Sequence, residues 1–214
     1  FIANLAGFSF YRESAHLTGP MLLPALDHQM QFFHHLFIEG KFYSIFSLLF
    51  GWGIALQFKR AEAKEVNALP TIKRRLFFML LLGGFHLLLW SGDIVFFYAL
   101  LGFILLPMRR FSNKQLLITG SILILSPIAL YAAKMKWEWL NAPSGLLFGI
   151  GEKLETYLTG ITSEETYLKY VQNAGWWDII KDNIAGFFFR YGHLIFISRI
   201  SKVLGMFLIG YVLG

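Results

Sequence analysis

The sequence predicts an all-α protein: a multi-pass transmembrane helical bundle with an amphipathic, interfacial helical segment in a long outer loop. Three observations predict it. Of the 214 residues, 56% are hydrophobic, 18% aromatic and 15% charged, whereas soluble domains carry roughly 25% charged residues. A core alone cannot hide that much apolar surface in a chain of this size. Apolar runs also recur along the chain, and basic residues cluster at their ends, as Lys59-Arg60, Lys73-Arg74-Arg75 and Arg109-Arg110. Finally, two apolar runs stand back to back between Leu76 and Met108, divided by Ser91-Gly92-Asp93. The net charge of +6 does not imply nucleic acid, because the charge marks the ends of runs and forms no phosphate-tracking face. The chain has no cysteine, so disulfide and thiolate chemistry are excluded.

The spans read as about 42–58, 76–91, 93–108 and 116–133, with Pro127 placed to kink the last of these. A further run at 203–214 is shorter than the about 20 residues that a bilayer requires. Residues 1–10 read as the outgoing end of an earlier helix. The chain is therefore expected to be a fragment, 1–214, of one transmembrane domain of a longer protein. The two halves of Leu76–Met108 are short for spans, and flanking arginines that snorkel make up the difference. Loops 59–75 and 109–114 carry the excess of Lys and Arg and are expected on the cytoplasmic side. The Ser91-Gly92-Asp93 turn, residues 11–41 and the outer segment 134–202 then face outward. In that segment Thr162-x-x-Glu165 reads as a capping box ahead of Tyr167, Leu168 and Val171. Trp137, Trp139, Trp176 and Trp177 read as interfacial anchors, and one or two amphipathic helices are expected. Ser47-x-x-x-Gly51, Gly83-Gly84 and Gly102 are small residues suited to close helix packing.

His86 and Asp93 are the polar residues that an apolar stretch has most reason to exclude. If the two runs form an antiparallel hairpin turning at Gly92, His86 lies opposite Tyr98, roughly 9 Å below the turn. His86 then serves as a base or proton relay, or as a packed polar residue bonded to Tyr98 or a neighbouring helix. Asp93 orients it, or simply caps the next helix. Lys41 heads the first span, where it holds an anionic substrate or snorkels to lipid phosphate. On a helix, His28, Gln31, His35 and Glu39 share a face, but no HExxH pattern accompanies them, and no metal site is expected. Asn4 and His16, near the start of the chain, complete the set of polar candidates.

Longer motifs carry a resemblance. Lys41-Phe-Tyr-Ser-Ile-Phe-Ser-Leu-Leu-Phe-Gly-Trp-Gly53 resembles the "KF-x-x-LFSLLFG-x-G" motif of the YeiB-like family of bacterial membrane proteins. The stretch from Gly84 to Gly102, with His86, Trp90, Gly92, Asp93 and Tyr98, resembles that family's "H-x-x-x-x-W-x-GDIL-x-x-YA-x-x-G" motif. Phe1-Ile-Ala-Asn4-Leu resembles the end of the family's first span. The resemblance covers residues 1 to about 110 and resumes at Leu204–Gly210. It implies a multi-pass protein of the bacterial inner membrane. It also implies a distant relation to membrane acyltransferases of the heparan glucosaminide acetyltransferase type. Those enzymes move an acyl group from a cytoplasmic coenzyme A thioester to an acceptor on the far side, with a base for which His16 is the nearest counterpart here.

These readings combine into an expected transfer of an acyl group from acetyl-CoA or another acyl-CoA across the membrane. His86 or His16 would deprotonate the acceptor and Asp93 would orient it. Lys41, Arg75, Tyr98, Trp90 and Asn4 would line the substrate path, with Arg75 suited to coenzyme phosphates. A transporter or permease subunit, with His86 relaying protons, is the alternative, and a non-catalytic structural membrane protein is the third. The expected partners are the lipid bilayer and a second copy of the chain.

Overall fold

The computed structural model describes residues 41–214. The chain falls into two compact units, residues 1–46 and 47–214, and the second carries the features below. The described residues are helical and contain no strand. In order they form α1 (Lys41–Glu62), α2 (Leu69–Leu89), α3 (Val95–Met108), α4 (Asn113–Lys136), a 3-10 turn (Glu138–Asn141), α5 (Ala142–Thr159), α6 (Glu164–Asn173), α7 (Trp176–Phe196) and α8 (Arg199–Leu213). Each expected run among the described residues has its helix, and the helix end expected at residues 1–10 lies outside them. Two helices start four or more residues earlier than the hydropathy suggests. α2 opens at Leu69, where Pro70 suits a first turn that needs no N–H donor and Asn67 Oδ1 accepts from Leu69 N. The last run starts at Arg199 instead of about 203.

Segment 134–202 holds more helix than the one or two expected: α5, α6 and α7, with the 3-10 turn before them. The cap of α6 also lies one residue beyond the expected Thr162. Ser163 Oγ accepts from Thr166 N, and Thr166 Oγ1 accepts in return from Ser163 N. The box therefore closes on a threonine, and both orphan donors are met. Tyr170, also on α6, donates its phenolic proton to the Asp178 carbonyl at 2.6 Å. Burial, then the carboxylates of Asp178 and Asp182, push Tyr170 up to about 12. Folding thus favours the protonated phenol, and the stabilisation is complete below the ordinary value of 10.0. It is lost as pH rises from there through about 12. Ultraviolet titration of wild type against Tyr170→Phe should reveal one late-ionising phenol; ionisation at the ordinary value would contradict the bond.

The core of the second unit is built where glycines let helices touch. A side chain at Gly51 would strike the Phe207 backbone, and one at Gly210 would strike the Leu48 backbone, so α1 and α8 meet backbone to backbone. Gly120 of α4 and Gly205 of α8 make the same kind of contact. Around this seam Phe50, Tyr98 and Phe207 stack as an aromatic trio, with centroids 5.5, 4.6 and 5.1 Å apart. Phe97, Leu105, Phe207 and Leu208 are fully buried. α2 and α3 form the antiparallel hairpin, with Gly83 against the Phe96 backbone and Gly102 against the Leu76 side chain. α5 and α7 form a second hairpin, with Gly151 on Phe189 and Gly192 on Phe148.

α7 and α8 are nearly continuous but bend by 72° at residues 197–198. Ser198 takes the left-handed conformation there, with φ 55°. Lys134 of α4 holds the break, donating to the carbonyls of Ile195 and Phe196 and to Ser198 Oγ. By length and composition one described helix, α4, can cross a membrane, and the bent α7–α8 pair passes the same test if taken as one span. The α4 window has a mean hydropathy of 2.0 and only 11% of it is buried. α3 is apolar but has 14 residues. α2 carries Lys73, Arg74 and Arg75 within its first turns.

Candidate functional site

The turn between α2 and α3 gathers the polar groups. Asp93 is 1% exposed, an acid almost wholly out of solvent. Its Oδ2 accepts from Phe96 N at 2.7 Å, as an N-terminal carboxylate does at the free donors of a helix. Its Oδ1 lies 2.7 Å from His86 Nδ1. With Asp93 as a carboxylate, which can only accept, the shared proton is on Nδ1, and the lone pair of a neutral ring is on Nε2. Nε2 makes no hydrogen bond among the described residues, and the His86 side chain is 48% exposed. The Trp90 ring stands edge-on to the imidazole at 5.7 Å. Gly92 is required beneath it, since a Cβ there would overlap the six-membered ring of Trp90. A histidine oriented by a buried acid, with its second nitrogen open, is the arrangement of a general base or proton relay.

The expected His86–Tyr98 pairing is not what forms. Tyr98 is buried and its hydroxyl lies 2.7 Å from Ser47 Oγ of α1, inside the aromatic trio. His86 pairs with Asp93 instead, because the Trp90–Ile94 turn folds the acid back over the last turn of α2, with Asp93 N bonded to the Trp90 carbonyl. Tyr98 is thereby a core residue in the described unit.

Arg75 is also apart from the pair. It stands eleven residues before His86 on α2, about 16 Å along the axis, and donates to Gln57 Oε1 at 2.5 Å. Arg75, His86 and Asp93 thus do not share one site. Lys41 begins α1. Asn4, His16 and the His28–Glu39 group lie outside the described residues. Among the described residues no cluster of His, Asp and Glu is placed to hold a metal ion.

Asn183 of α7 is the residue that sequence reading did not find. It is 7% exposed, its Oδ1 accepts from Ser91 N at 2.9 Å, and its Nδ2 donates to the Leu88 carbonyl at 3.1 Å. It ties α7 to the turn that carries the pair, where Gly186 lets Ser91 approach. The one sign in the sequence is an asparagine entering an apolar run, Asn183-Ile-Ala-Gly-Phe-Phe-Phe. Asn183→Ala strands a buried donor and acceptor and should cost about 1–3 kcal/mol, read as a lower melting temperature in detergent. Unchanged melting would show that the clamp is idle.

The geometry defines an all-helical protein with a His–Asp pair at a helix-hairpin turn. The chain is similar to an uncharacterized 39.9 kDa protein in the amylase 3′ region of Bacillus acidopullulyticus, 33% identical over 156 residues. That alignment covers 72% of this chain and 44% of the other. It is also similar to the uncharacterized protein YxaH of Bacillus subtilis (strain 168), 47% identical over 83 residues, 38% of this chain and 21% of that one. The chain thus spans less than half the length of these relatives. No family model matches it, and no solved structure matches it.

Proposed function

We propose that the chain is part of a multi-pass bacterial inner-membrane protein of the YeiB-like type, and that His86 and Asp93 handle the proton in an acyl transfer from acyl-CoA to an acceptor. The observation that carries the catalytic half is the 2.7 Å bond from His86 Nδ1 to a buried carboxylate, with the ring half exposed. The membrane half is supported by what the helices leave uncovered. Phe77, Phe78, Leu81, Leu82 and Phe85 of α2, and Ile118, Ile122, Leu125 and Ile128 of α4, are each at least half exposed. Both helices also bury apolar residues, Ile72, Leu76 and Leu87 on α2 and Leu116 on α4, so apolar side chains face both the core and the outside, which suits a lipid surround.

In this reading the acceptor hydroxyl or amine gives its proton to Nε2 as its oxygen or nitrogen attacks the thioester carbonyl. The carbon–sulfur bond breaks, and the coenzyme leaves as a thiolate that takes up a proton. Asp93 balances the imidazolium through Nδ1–H. Trp90 walls one side of the ring, His16 remains a candidate base, and Lys41 and Asn4 remain candidates for the substrate path. A coenzyme held near Arg75 must present its thioester about 16 Å away, so the acyl group has to travel along α2. The test is acyl-CoA consumption by the full-length protein in proteoliposomes, compared between wild type, His86→Ala and Asp93→Asn.

The 72° break between α7 and α8 favours a second reading, a permease, since discontinuous helices line the sites of many transporters. It predicts proton-gradient-driven uptake without coenzyme A.

A further inference from the structure

At the opposite end of the α2–α3 hairpin from His86 lies a groove of about 410 Å³. It is lined by Lys73, Arg109 and Arg110 and by the apolar Leu69, Phe103, Leu106 and Pro107. No acidic residue lines it, and among the described residues none of the three cations is in an ion pair. Arg109 is fixed in place: its guanidinium lies over the Phe58 ring, 5.1 Å from the centroid. Its Nε is nevertheless buried without a hydrogen-bond acceptor among the described residues. Buried charged donors ordinarily have acceptors. Two apolar side chains on the same hairpin, Phe77 one turn beyond Lys73 and Ile104 next to Phe103 in the sequence, are exposed.

Cations beside apolar side chains fit a phosphate that carries a hydrocarbon chain. We propose that this groove binds the headgroup phosphate of an anionic phospholipid, with Lys73, Arg109 and Arg110 on the phosphate and an acyl chain against Phe103 and Leu106. The inference rests on the membrane reading above, in which loops 59–75 and 109–114 lie at the cytoplasmic leaflet. A free phosphate would use the cations and leave the apolar lining unused.

The test uses delipidated full-length protein in detergent and fluorescent phosphatidylglycerol and phosphatidylcholine of equal chain length. Each basic residue near a lipid phosphate contributes about fivefold in affinity. Wild type should therefore prefer phosphatidylglycerol by about tenfold or more, and Arg109→Gln/Arg110→Gln should lose that preference. Lys59→Gln/Arg60→Gln, with the same loss of charge outside the groove, should keep it. Millimolar inorganic phosphate or coenzyme A should not displace the lipid. Equal binding of the two lipids overturns the proposal, as does an unchanged preference in the groove variant or displacement by inorganic phosphate or coenzyme A alone. Carbonate extraction of native membranes separates the two levels. Protein that stays in the pellet without lipid preference overturns this inference only, whereas protein released to the supernatant overturns the membrane reading with it.

Discussion

Replacing His86 by alanine in the full-length protein should lower turnover of the proposed acyl transfer by about 10²–10⁴-fold, the range for a positioned general base. The side chain is 48% exposed, so little packing is lost with it, but the buried Asp93 carboxylate loses a partner, and the melting temperature should fall by the equivalent of about 1–3 kcal/mol. Asp93→Asn should lower turnover comparably by a different route. The amide oxygen can still accept from Phe96 N, but the amide nitrogen then faces His86 Nδ1 and donates to it. That forces the proton to Nε2 and removes the base from the open side of the ring. Equal loss in the two variants, with folding retained, would mark a coupled pair. Full activity in His86→Ala would remove the catalytic role.

The largest effect on stability is expected at the α1–α8 seam. Gly51→Leu and Gly210→Leu would each push a side chain into the facing backbone, at Phe207 and Leu48. Overpacking that a flexible side chain can absorb costs about 1–3 kcal/mol. Here the obstacle is main chain, so the helices must part, and the aromatic trio of Phe50, Tyr98 and Phe207 loses its contacts. Both variants should fail to give a monodisperse protein on size-exclusion chromatography in detergent. Gly53→Ala is the control two residues away, since a Cβ there meets nothing within 4 Å, and it should behave as wild type. Normal yield and melting of Gly51→Leu would mean that the seam does not form.

What could be read in advance follows from how local each signal is. Apolar runs with basic ends showed the helices, because hydropathy is a property of contiguous residues. His86 and Asp93 stood out as polar residues in an apolar stretch. Their pairing did not, because equal spacing about Gly92 assumes a symmetric turn. The actual turn, from Trp90 to Ile94, returns Asp93 to the preceding helix and leaves Tyr98 to Ser47. Asn183 reaches the site from about ninety residues away, and the groove joins Lys73 to Arg109 and Arg110 across two helix ends. No local pattern encodes either convergence. The placement of α6 turned on one residue of capping, where Ser163 and Thr166 satisfy the helix better than Thr162 and Glu165 were expected to.

In the proposed acyl transfer, an imidazole held by Asp93 takes a proton from an acceptor while a coenzyme A thioester is opened. Inside-out membrane vesicles containing the full-length protein present the cytoplasmic side to added acetyl-CoA and keep native acceptors within. Release of free coenzyme A thiol should be saturable in these vesicles and reduced about a hundredfold or more in both His86→Ala and Asp93→Asn vesicles. Thiol release that is absent from wild type, or equal in all three preparations, would contradict it.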